Sequence, residues 1–87
     1  MGNSSVIARF NGIVIKMYPL NHYPAHFHVE YGEFKTVFAV EDSSMLAGTL
    51  PDNQVKQIRT WAMRHHSELM VNWEKVCVGQ YPDRIEE

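Results

Sequence analysis

The sequence predicts an α+β domain: an antiparallel meander of four to five strands packed on a long or kinked C-terminal helical segment. Three observations carry this. Two glycine-bearing dipeptides, Asn11-Gly12 and Gly32-Glu33, sit between alternating apolar runs, as hairpin turns do. From Pro51 the apolar period changes from two to that of a helix. The chain has 87 residues, 45% hydrophobic and 21% charged, which suits one globular domain with a modest core.

The first hairpin is read from "VIARFNGIVIKMY". A type I′ turn at Asn11-Gly12 sets Phe10 opposite Ile13, Ala8 opposite Ile15 and Val6 opposite Met17. All six are apolar and share the core face, which places Ile7, Arg9, Val14, Lys16 and Tyr18 on the other. Pro19 and Pro24 bound a connector. The second hairpin, "FHVEYGEFKTVFAV", turns at Gly32-Glu33 in a type II′ turn. Tyr31 then faces Phe34, Val29 faces Thr36, and Phe27 faces Phe38 on an aromatic core side. The opposite side pairs Glu30 with Lys35, His28 with Val37 and His26 with Ala39. "EDSS" is a turn, and "MLAGTL" a short fifth strand.

Val55, Ile58, Trp61, Ala62, His65, Leu69, Trp73 and Val76 form one helical stripe. Pro51 and Asp52 suit its start and Gly79 its stop. An unbroken helix would run about 28 residues, or roughly 42 Å, which is long for so small a sheet. A break near His65-His66-Ser67 is expected, with Ser67 as the second N-cap. The domain thus divides into strands over about 6–50, a helical region over about 51–78, and a loose polar tail over 79–87.

The net charge of −2, with no basic run, argues against a nucleic-acid ligand held by phosphate neutralisation. The lone cysteine, Cys77, excludes an internal disulfide and reads as a small, partly buried helix residue. There is no apolar run long enough for a membrane span, and a cytoplasmic setting is expected.

Chemistry concentrates in "NHYPAHFHVEYGEF", which holds His22, His26 and His28. On a strand, i and i+2 share a face, so two imidazoles can converge on one ion. His22 in the Pro-bounded turn is a candidate third ligand, and Glu30 on the same face a candidate fourth. Three histidines with an optional carboxylate suit a divalent transition metal: zinc, nickel, copper or iron. The competing reading gives these histidines structural or partner-binding roles. No catalytic residue stands out: there is no phosphate loop, paired-carboxylate site or nucleophile–base spacing. Met63, His66 and Met70 flank the helical stripe and are expected to form a contact surface for a protein partner or a second copy in a homodimer.

"IARFNGIVIKMY", "NHYPAHFHVEYGEF", "GTLP" and "WAMRHHSELMVNWEKV" together resemble a family of small, mainly bacterial proteins of unknown function. Its members share an I-x-R-F-x-G-I-x-I start, a central H-x-P-P-H-F-H motif and a helix with paired tryptophans. The likeness runs from about Ile7 to Val78, and Ala25 stands where the motif often has its second proline. The resemblance implies the fold class and a bacterial cytoplasmic setting; family members are often encoded beside another small domain, and a toxin–antitoxin role is suggested for such pairs. Two functions follow as expectations: a binding or interaction module, and a metal-binding protein or small metalloenzyme using His22, His26 and His28.

Overall fold

The computed structural model describes residues 4–19 and 23–85. Five antiparallel strands follow in chain order: β1 (Val6–Phe10), β2 (Ile13–Lys16), β3 (His26–Tyr31), β4 (Phe34–Ala39) and β5 (Met45–Gly48). Two helices complete the chain, α1 (Asp52–Arg64) and α2 (His66–Cys77). The sheet order is β1-β2-β3-β4-β5, a simple meander, so β1 and β5 are its edges.

Both hairpin turns form as their residues dictate. Asn11 and Gly12 have φ of 51° and 79°, the two positive values of a type I′ turn, and Gly32 has φ of 58°. The β3–β4 register is the expected one throughout, from His26 opposite Ala39 to Tyr31 opposite Phe34. In the first hairpin, Phe10 pairs with Ile13 and Ala8 with Ile15, but Val6 pairs with Lys16 instead of Met17. A bulge at Ile7 causes the slip. The extra residue turns Ile7 toward the core, where it is fully buried beside Ala8. Ile7 therefore leaves the outer face on which strict alternation places it, while Met17 stays buried as expected.

Helix α1 lays Val55, Ile58, Trp61 and Ala62 on the sheet, and α2 adds Leu69, Trp73 and Val76, so the whole stripe is buried. Trp61 meets Phe27 edge-on at 6.1 Å and stacks on Phe10 at 5.6 Å, while Phe27 stacks on Phe38 at 5.7 Å. Such aromatic pairs add about 0.5–1.5 kcal/mol each beyond their burial. Cys77 is half-buried against this core, as expected.

The helix breaks within the expected stretch, but the second N-cap is His65, two residues before Ser67. His65 caps the end of α1 and the start of α2, with φ −111° and ψ 26°, and Ser67 lies inside α2. The reason is local. The buried His65 ring hydrogen-bonds Glu68 at the third position of α2, Nδ1 to Oε1 at 2.6 Å, holding the junction at His65. At the far end Gly79 (φ 84°) permits a Schellman closure. Its N–H donates to Val76 O, and that of Gln80 donates to Lys75 O.

Residues 79–85 of the tail expected to be loose are docked. Ile85 is buried, and its N–H donates to Ile7 O at 2.7 Å. Asn72, buried on α2, exchanges two hydrogen bonds with the backbone of Asp83, and Lys75 pairs with the Asp83 carboxylate. Ile85 thus fixes the tail to β1, and Asn72 fixes it to α2.

Candidate functional site

Two surfaces could do chemistry or recognition: the outer face of β3, and the free edge of β5 with the neighbouring helix junction. On β3, alternation sends Phe27 and Val29 into the core and His26, His28 and Glu30 to the other side. The two imidazole rings lie edge to face, with centroids 5.2 Å apart. The His26 Nδ1–H donates to the carbonyl of Pro24 at 2.7 Å, just after a cis Tyr23–Pro24 peptide. In the neutral ring that bond leaves Nε2 with the lone pair. His28 is half-buried, with the Tyr18 ring against it at 4.9 Å. Burial pushes the pKa of His28 below its ordinary value, and the neighbouring His26 adds to this, so His28 is neutral at pH 7.

Glu30 does not pair with Lys35, although their backbones are opposite. Its carboxylate accepts a hydrogen bond from Lys16 Nζ at 3.1 Å across to β2, and that bond raises the Lys16 pKa. The face is also less open than the register implies. Trp73 of α2, itself buried, comes within 5.3 Å of the His26 ring and 5.6 Å of Tyr23. At this end of β3 the second helix therefore reaches the histidine side. His22 lies outside the described residues. Among the described residues no group of three or more histidine, cysteine or acidic side chains is placed to hold a metal ion. His65 stays in the core, between the Trp61 ring at 5.4 Å and Glu68.

Of the helix-flank residues, Met63 is 78% exposed and His66 is exposed, whereas Met70 is half-buried against the core. Met70 therefore presents only part of its side chain at the surface. Met63 and His66 share a cleft of about 210 Å³ with Glu41, Asp42 and Ser43 of the β4–β5 turn. Arg59 ties this turn to α1 by donating from Nε to Ser43 O at 3.1 Å. The Ser44 N–H donates to Asp42 Oδ1, and hydrogen bonding by Ser44 lowers the Asp42 pKa.

That turn leads directly into β5. Every residue of β5 is exposed, three of them apolar: Met45, Leu46 and Ala47. It bonds β4 on one side only. A register shift between the Val37–Ala47 and Phe38–Met45 pairs makes Leu46 a bulge residue. No charge or proline guards the strand, although guarded edges are the usual protection against pairing. The opposite edge also has a bulge, but β1 in addition carries Arg9 and receives the tail through Ile85. Sequence reading placed a strand here without identifying it as a site, because its free edge follows from the order of strands in space.

These features define a small α+β domain with a one-sided apolar edge strand and a histidine pair on the outer face of its sheet. The chain belongs to the family described as a domain of unknown function, DUF4160, whose profile matches residues 12–74. The match takes in β2 to β5, α1 and most of α2, and begins just after β1. Comparison with curated proteins gives no match, and neither does comparison with solved structures. Among the described residues no helix is long and apolar enough to cross a membrane.

Proposed function

We propose that this domain is a protein-interaction module whose free β5 edge accepts a strand from a partner. The observation that carries the reading is β5 itself, paired on one side, wholly exposed, apolar and without a charge or proline. Strand addition draws its affinity from main-chain hydrogen bonds and its selectivity from the alternate side-chain pockets beside the edge. The cleft holding Met63 and His66 lies at the turn that opens β5, where a partner's side chains would be read. The bulge at Leu46 limits addition to a short strand and discourages open-ended stacking. A partner encoded beside this chain, as in a toxin–antitoxin-like pair, is one donor of that strand. A second copy, giving a homodimer, is the other.

Co-expression with the product of a neighbouring gene, followed by an affinity measurement on the purified pair, tests this. The Leu46→Lys variant places a charge on the added strand's path and is expected to weaken the complex by at least about tenfold. A self-associating domain shows the same loss in its dimerisation constant. Unchanged association with the Leu46→Lys variant, at unchanged fold, rejects the edge as the interface.

A second reading has its own support. The His26 lone pair on Nε2 and a neutral His28 are what a divalent metal requires of imidazole ligands. With His22 as third ligand and Glu30 released from Lys16 as a fourth, they would bind zinc, nickel, copper or iron. Untagged protein then retains about one equivalent of metal, and His26→Ala or His28→Ala loses it. Absence of metal, with no change in melting temperature on adding zinc, counts against this reading.

A further inference from the structure

A second cleft, of about 310 Å³, opens where the β1–β2 turn meets α1, away from both surfaces described above. Its size is at the lower end of small-molecule pockets. Phe10 and Trp61, stacked at 5.6 Å and 27°, give it an aromatic wall, and Phe10 is only half-buried. Lys56, Thr60 and Arg64 line it at i, i+4 and i+8 of α1, so this side of the cleft follows about 12 Å of helix axis. No carboxylate is among the lining side chains.

The polar groups here are mostly donors. Asn11 Nδ2 donates to Gln57 Oε1 at 2.8 Å, which closes the rim and leaves the Gln57 amide hydrogens available. The Trp61 indole Nε1–H is buried and has no hydrogen-bond partner among the described residues. Against these stand the Asn11 carbonyl and the Thr60 hydroxyl, the latter able to donate as well as accept. An aromatic wall, the exposed Lys56 ammonium and the Gln57 amide hydrogens complement a flat ring that carries an oxyanion.

We propose that this cleft binds a small planar anion: an aromatic or heteroaromatic ring bearing a carboxylate or phosphate group. The site is independent of the β5 edge, so either assignment can fail without the other.

Titration of the ¹⁵N-labelled full chain by NMR tests it, with indole-3-acetate and adenosine monophosphate as probes and indole and adenosine as their uncharged counterparts. The Trp61 indole resonance and the amides of Gln57 and Thr60 are expected to shift saturably, while the Trp73 indole serves as an internal reference and stays in place. At least one charged probe is expected to bind about tenfold tighter than its uncharged counterpart. Whichever charged probe binds tighter identifies carboxylate or phosphate as the preferred group. The exposed Lys56→Glu variant is expected to lose about tenfold in affinity, with Thr60→Glu as the second variant should the first unfold. The proposal is overturned by no saturable shift at about 10 mM of either charged probe, by equal shifts at Trp73, by equal affinity for uncharged probes, or by full affinity in a folded variant.

Discussion

Gly48 holds the edge strand in place, and its replacement separates backbone strain from steric collision. It has φ of +84°, and an added Cβ would stand 2.2 Å from the Lys35 carbonyl and 3.0 Å from the Thr36 Cα, both on β4. Gly32 offers the control: its φ is also positive, at +58°, yet nothing lies within 4 Å of an added Cβ. Gly32→Ala therefore incurs only the left-handed backbone penalty, about 1–2 kcal/mol. Gly48→Ala incurs a similar penalty and must also push β5 away from rigid β4 backbone, breaking one or two ladder hydrogen bonds at about 1 kcal/mol each. The total is about 2–4 kcal/mol. In a domain of this size that lowers the melting temperature by about 10–25 °C, against about 4–15 °C for Gly32→Ala. Paired thermal and urea unfolding of the two variants supplies the comparison. Because β5 is exposed, the strand is expected to detach before the core yields. Amide exchange at Met45–Gly48 should then accelerate more than exchange in β3. Equal destabilisation by the two substitutions would refute the close packing of Gly48 on β4.

Other substitutions test the remaining contacts. Ile85→Ala, which empties a buried site and loosens the tail from β1, should cost about 2–4 kcal/mol by denaturant unfolding. His28 has a folded pKa below its unfolded value, so it favours the fold fully above pH 6.5. As pH falls from there toward the folded pKa, the unfolded chain binds the proton first and this contribution is lost. The stability loss between pH 6.5 and 5 should accordingly be smaller in His28→Gln. The Lys16–Glu30 pair is part-exposed, with side-chain exposures of 25% and 31%. Glu30→Gln should therefore change stability by less than about 1 kcal/mol and return the Lys16 pKa toward its ordinary value.

Much of the fold is legible in the sequence because short-range chemistry determines it. Asn11-Gly12 and Gly32-Glu33 can each close only a tight turn, and the turn fixes which side chains share a face. The helical stripe from Val55 to Val76 is legible for the same kind of reason, since each member recurs at the helix period. The misreadings mark where distant residues decide. Nothing in "VIARF" announces a bulge, which forms because the core accepts both Ile7 and Ala8. The helix break, by contrast, is local and falls in the expected stretch; only its cap moves from Ser67 to His65, where a buried ring bonds Glu68. Ile85 is one apolar residue in a polar tail, and only the backbone of β1 gives it a place.

The candidate sites divide in the same way. That His26, His28 and Glu30 share a face follows from one turn. That Glu30 is taken by Lys16, and His26 partly covered by Trp73, depends on neighbouring strands and on α2. The openness of β5 and the cleft beside Lys56 arise only when the meander and helices are assembled.

If the unpaired edge of β5 accepts a partner strand, its amides gain hydrogen-bond partners in the complex. Hydrogen exchange of the free chain and of its purified complex, read residue by residue, tests it most directly. Slowed exchange in the complex at one or more of Met45, Leu46, Ala47 and Gly48, with β1 unchanged, is the predicted result. Protection confined to β1 or the histidine face, with β5 exchanging as fast as in the free chain, would contradict it.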